Sequence, residues 1–120
     1  MFNQENCVNF TAIDVELANN EFNSICEVGL SRFRGSELVE TWRVLVDPED
    51  HYEQLYHSDL HGIREQHTSE ASTFPEIHPL LKHFLAKELC IFHAASGFDR
   101  ECLRKACERY ALEDVTTSAG

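Results

Sequence analysis

The stretch Phe10-Thr11-Ala12-Ile13-Asp14-Val15-Glu16 constrains this chain more than any other. It is short, apolar or β-branched, and alternating, which reads as a strand whose successive side chains point to opposite faces. Asp14 and Glu16 are two positions apart, so they share a face, and Val8, Phe10 and Ala12 precede them on it. The expectation is that this face looks toward the core. Like charges placed so closely raise each other's pKa or need a counter-charge. A divalent cation held by hard carboxylate oxygens explains such a pair better than most structural roles. The plainer reading is that both acids mark the strand's exit into solvent.

Charge narrows the choice of partner. The 120 residues include 21 acidic and 10 basic ones, for a net charge of −11. Such a chain does not attract a polyphosphate by its overall field. If the substrate is a nucleic acid, something local must reverse the sign, and bound metal ions do that. The length suits a single domain, residues 1–120, and a hydrophobic share of 42% supports a packed core. Five cysteines (Cys7, Cys26, Cys90, Cys102, Cys107) form no C-x-x-C pair. That pattern argues against a disulfide framework or a structural zinc site and fits a reducing, cytoplasmic setting. Cys26, Cys90 and Cys102 lie in apolar patterns and read as small core residues. The first residues carry no basic and apolar leader pattern, and no run reaches membrane-spanning length, so no membrane partner is expected.

Along the chain, Ser24–Phe33 and Glu37–Val46 read as strands joined through Arg34-Gly35-Ser36, an antiparallel hairpin. Leu38, Trp42, Val44 and Val46 are expected on one face of the second of these. Residues 49–72 are polar and irregular, with a short helix expected around Ser58–Gln66. Thr73-Phe74-Pro75-Glu76 is a helix start: Thr73 caps, Pro75 suits the first turn, and Glu76 closes a capping box. Phe74, Ile77, Leu81, Phe84 and Leu85 recur at helical spacing, to about Lys87. Leu89–Phe92 reads as a strand buried on both faces. Phe98–Tyr110 reads as a second amphipathic helix, with Phe98, Cys102, Leu103, Ala106 and Tyr110 inward, and Glu113–Gly120 as a frayed polar end. The order β-β-β-α-β-α implies an α/β fold with a mixed sheet.

Asp99 opens the last helix, where an acid is favoured by the helix dipole alone. It also follows a strand and a small-residue turn. If Leu89–Phe92 pairs beside the first strand, Asp99 comes over the end where Asp14 and Glu16 project. Three converging carboxylates could hold two divalent metals roughly 3.5–4 Å apart, the arrangement for in-line displacement at phosphorus. Among the histidines, His57 and His61 have the four-residue spacing of zinc ligands, but no third ligand is in view. His93 ends the short strand and is either a hydrogen-bonded, half-buried group or a base. His51, His67, His78 and His83 read as solvated surface residues.

Ala12-Ile13-Asp14-Val15-Glu16 resembles the first motif of the DEDDh 3′–5′ exonucleases, the family of the bacterial replicative polymerase's proofreading subunit. Ile25-Cys26-Glu27-Val28-Gly29 resembles its second strand, Leu60-His61-Gly62-Ile63 its H-G-I segment, and Phe74-Pro75-Glu76 the start of its first long helix. His93-Ala94-Ala95-Ser96-Gly97-Phe98-Asp99 resembles its second motif, usually H-N-A-x-F-D. The five segments stand in the family's order across nearly the whole chain. The resemblance implies an RNase H-like fold and a two-metal, Mg²⁺- or Mn²⁺-dependent exonuclease. Its substrate would be the 3′ end of a single strand, DNA favoured over RNA. Asp14, Glu16 and Asp99 are implied as metal-binding and catalytic, and Leu17, His61, Gly62, Ile63 and Phe98 as substrate-binding.

The sequence departs from the family pattern in three places. Leu17 stands where the family has threonine, and Ala94 where it has asparagine, with Gly97 as an apparent extra residue. The family's third motif, H-x-x-x-x-D, which supplies a general base and the last metal ligand, is not among these residues: no histidine follows His93. The expectation is a C-terminally truncated domain, about the N-terminal two-thirds of the family's. It would be weak or inactive alone and prone to homodimerise or to lean on a polymerase partner. The competing reading is a non-catalytic nucleotide- or partner-binding module built on the same fold.

Overall fold

The computed structural model describes residues 8–53, 61–92 and 98–116. Four strands, β1 (Phe10–Leu17), β2 (Ile25–Arg34), β3 (Glu37–Leu45) and β4 (Cys90–Phe92), form one sheet in the order β3-β2-β1-β4. Among the described residues three helices with both ends in view accompany them: α1 (Glu65–Thr68), α2 (Phe74–Leu85) and α3 (Phe98–Arg109). β1, β2 and β3 run antiparallel in sequence, and β4 joins β1 in parallel, Ala12 opposite Ile91. This is the mixed α/β arrangement of an RNase H-like fold. The β2–β3 link turns at Gly35, whose φ of 65° lies in the left-handed region that glycine adopts without steric cost. No helix among the described residues is long and apolar enough to cross a membrane.

The pleat of β1 sorts its residues. Thr11, Ile13, Val15 and Leu17 are buried, and the alternate residues Phe10, Ala12, Asp14 and Glu16 are half-buried. Ile13, Val15 and Leu17 meet Val28 and Leu30 of β2, the apolar stripe of α2 (Phe74, Ile77, Leu81, Leu85) and that of α3 (Cys102, Leu103, Ala106, Cys107) in one core. The expectation that the acids face this core is therefore corrected. Both long helices bring their apolar stripes to the Ile13 side, so the acid side of β1 is the sheet's open face.

The start of α2 follows its sequence signal. Glu76 accepts the Thr73 backbone N–H at 2.9 Å in a capping box, and Pro75 sits in the first turn. The helix stops at Leu85, short of Lys87, because Ala86 turns extended and Lys87 takes a φ of 63°. Other expectations change. Leu38 is 51% exposed, because an irregularity at Arg32/Phe33 shifts the β2–β3 register and sets it opposite Phe33, beside the hairpin turn and on the open face. Trp42 and Val44 pack on the core and Val46 is buried, as their spacing predicts. β4 buries Cys90 but leaves Ile91 43% exposed, since Ile91 pairs with Ala12 and so projects from the sheet's open face. A short helix runs Glu65–Thr68, overlapping the end of the expected Ser58–Gln66, and residue 61 is also helical; residues 58–60 of that expectation lie outside the described ones.

The segment after α3 is not frayed as far as Thr116. Val115 joins the core, and Thr116 is buried. His78, expected on the surface, is buried, and its Nε2 donates to the Glu113 carbonyl at 2.7 Å. That bond ties the segment back to α2. Cys26, Cys90, Cys102 and Cys107 are free and buried, as core thiols.

Leu80 and Leu81 are adjacent on α2, one 58% exposed and the other fully buried. Leu81→Ala should cost about 2–5 kcal/mol in urea unfolding, whereas Leu80→Ala should stay within about 0.5 kcal/mol. Equal losses would contradict the orientation of α2.

Candidate functional site

The acids lie at the C-terminal end of β1, on the open face. Glu16 stands opposite Glu27 of β2, and Asp14 opposite Gly29. Burial pushes the Glu16 carboxyl up, and the neighbouring charges of Asp14, Glu27 and Asp99 push it further, while His61 acts the other way. Acids of β1, β2 and α3 thus all act on Glu16. Asp99 is 3% exposed, at the first turn of a helix that packs on β1, β2 and β4. β4 does pair beside β1, in parallel, and Asp99 comes within electrostatic reach of Glu16.

The H-G-I segment has a definite structural job. The Nδ1 of His61 accepts the Ile63 N–H at 3.0 Å, so the ring proton sits on Nε2, which donates to the Leu17 carbonyl at 2.8 Å. The imidazole is held edge-on against the backbone one residue past Glu16. Gly62, with a φ of 75°, makes the turn that allows it. Ile63 is buried with Ala18 and Cys26, and Leu45 and Tyr52 pack against them, in a second small core. The side chains of Leu17 and Ile63 are both taken up by cores, so any contact these residues make with a ligand is through their backbone. Phe98 is half-buried and meets the exposed Phe22 ring edge-on at 5.1 Å between centroids. His57, His93 and the turn 94–97 lie outside the described residues.

Two residues at this site were not singled out from the sequence. Glu27 lies within the quoted Ile25–Gly29 segment, and Arg43 is the cation paired with it, Nη1 to Oε1 at 2.6 Å. The signal was present in the pattern. Once the hairpin register is set, Asp14, Gly29 and Arg43 fall in one row across β1, β2 and β3. A cavity of about 270 Å³ opens along that row, lined by Ala12, Asp14, Gly29, Ser31, Arg43 and Ile91 among others.

The donor set fits a hard divalent cation in kind, since carboxylate oxygens are its preferred ligands. Burial first, and the neighbouring acids after it, raise the Glu16 carboxyl, and a cation bound there would act the other way. In closeness the fit is looser. Among the described residues no three His, Cys, Asp or Glu side chains stand together as a ready-made cage. Cys102 and Cys26 do not add soft ligands. Burial, aided by adjacent acids, pushes both thiols up to about 12 and keeps them protonated.

Comparison with protein families finds a match to the RNase T model, described as an exonuclease, over residues 10–118. Curated proteins give no match. The matched span takes in every element of the sheet, both long helices and all of the acids described above, and members of this family generally use divalent metals. The chain belongs to the RNase T exonuclease family.

Proposed function

We propose that this domain binds the 3′ end of a single nucleic-acid strand, DNA in preference to RNA, and hydrolyses its terminal phosphodiester in the 3′–5′ direction. The observation that carries the reading is the convergence of Asp14, Glu16 and Asp99 on one electrostatic environment in a chain of the exonuclease family. Asp14, Glu16 and Asp99 would hold Mg²⁺ or Mn²⁺, and two such ions supply charge stabilisation and an activated water for displacement at phosphorus. Asp14 and Glu16 would hold them from the end of β1, Glu16 beside the His61 clamp, and Asp99 from α3. His61 acts as a positioning residue: it fixes the Leu17 carbonyl, and with it the strand end that aims Glu16.

Turnover by these 120 residues alone is expected to be slow. A general base contributes roughly 10²–10⁴-fold, and the H-x-x-x-x-D motif that carries it in the resembling family is not in this sequence. The same observation favours a second reading, a non-catalytic nucleotide- or partner-binding module on the exonuclease fold. Under either reading the outer edge of β4, with Leu89 and Ile91 about half exposed, is where a second copy or a polymerase would add. Sedimentation of the chain alone should show dimers; a clean monomer at all concentrations contradicts that expectation.

On 3′-labelled single-stranded DNA with Mg²⁺ or Mn²⁺, slow trimming is expected, and Asp14→Ala should remove it. Fast trimming that Asp14→Ala abolishes would show that a base is present after all. Binding without any trimming would favour the module.

The Glu16 carboxyl gives a test that needs no turnover. Its folded pKa lies above the unfolded 4.5, so the folded state binds more protons just above pH 4.5. Stability is then lost as pH rises from about 4.5 through the raised value. Glu16→Gln should melt higher than wild type at neutral pH, and the difference should close below pH 4.5. Mn²⁺ should raise the melting temperature of wild type more than that of Glu16→Gln. Equal shifts would remove Glu16 from the metal site.

A further inference from the structure

We infer that Arg43 is a binding residue for a nucleic-acid phosphate: its guanidinium lies across the sheet beside Asp14 and takes a phosphodiester of the bound strand. The inference rests on the exonuclease reading and says where an acidic chain holds its polyanionic substrate.

The register puts Arg43 on the acid face. Gly29 stands opposite both Asp14 and Arg43, so β2 offers a bare backbone between them. The guanidinium uses that gap. A Cβ on Gly29 would come within 2.6 Å of Nη2, 2.8 Å of Cζ and 3.0 Å of Nη1. Only glycine lets the planar group lie on the strand here. Arg43 is the one cation among the open-face strand positions described, the others being apolar, small, hydroxyl-bearing or acidic.

The surroundings leave the group available. The Arg43 side chain is 57% exposed, against 17% for its partner Glu27. The pair spends one guanidinium nitrogen on one carboxylate oxygen, so donors remain for a phosphate. The cavity beside it has a floor of small residues, Ala12, Gly29 and Ser31, with Asp14 at one end. A strand whose terminal phosphodiester sits at the acids has its neighbouring phosphates within a short reach of this floor. Guanidinium and phosphate match in geometry as well as charge. A simple counter-ion for Glu27 would need neither the cleared strand at Gly29 nor the cavity.

The test is equilibrium binding of a fluorescein-labelled oligothymidylate to the full chain, by anisotropy across a salt series with Ca²⁺ present. Arg43→Gln should weaken binding roughly tenfold at low salt. It should also lower the slope of log affinity against log salt by about 0.7, the value for one fewer phosphate neutralised on a single strand. Arg43→Lys should restore the slope but not the full affinity. Gly29→Ala, which evicts the guanidinium from its seat, should weaken binding while leaving residue 43 charged. Melting curves of the variants check that each is folded, and because Arg43 is exposed, Arg43→Gln should melt near wild type. If wild type binds and Arg43→Gln keeps its affinity and slope, Arg43 is a counter-ion for Glu27 and the inference fails alone. If wild type binds no strand at all, the exonuclease reading falls and takes this inference with it.

Discussion

The alternation of β1 is the constraint on which the rest depends. Every second residue, Ile13, Val15 and Leu17, is driven into a core shared with both long helices. Burial of an aliphatic side chain is worth about 1.5–3 kcal/mol. Asp14 and Glu16 are held between those anchors, and a strand cannot slip by one residue without exchanging its faces. The acids are therefore aimed by their neighbours' hydrophobicity. What they cost, visible in the raised Glu16 carboxyl, is met by a strand with ample stabilisation on its other side. Stability and chemistry occupy opposite faces of the same eight residues.

That division settles how the other parts of the site arrive. β4 must pair with β1 in parallel for α3 to begin near the acids, and Asp99 is the first-turn residue that results. Residues 61–64 must lie against the end of β1 so that His61 can grip the Leu17 carbonyl. Its anchor is Ile63, packed with Ala18 and Cys26 where β1 and β2 meet. Each of these contacts spans a long stretch of sequence. A site assembled this way exists only in the folded domain, and loss of the small second core should loosen the site before it unfolds the sheet.

What could be read from the residues follows the range of the forces involved. The hairpin, the start of α2 and the inward stripe of α3 rest on local signals: Gly35, the Thr73–Glu76 box and helical spacing. Those were legible. The face of Asp14 and Glu16 was not, because alternation says that two faces differ but not which one the helices cover. The two-sided burial expected of β4 failed for a related reason. An apolar run such as Leu89–Phe92 reports hydrophobicity, whereas Ile91's exposure depends on which face of the sheet the helices cover. His78 and Val115 were misplaced because the bond between α2 and the segment after α3 is invisible until both are folded. Of the site, the three acids were readable as types and spacing. Glu27 and Arg43 emerged only once the strands had a register.

Arg43 also bears on the paradox of charge. A net charge of −11 opposes a polyanion at long range, where the protein acts as a sum. At contact distance the sum no longer governs, because screening confines each exposed charge to about 8–10 Å at ordinary salt. Within that radius the open face is a row: carboxylates toward the C-terminal end of β1, then bare backbone at Gly29, then a guanidinium. Such an arrangement disfavours loose, non-specific binding along duplex or polymer, since most of the surface repels it. On the proposed reading a strand would be held only where a cation offsets the acids and Arg43 meets a phosphate, so the acidity of the chain would act against binding elsewhere on the surface.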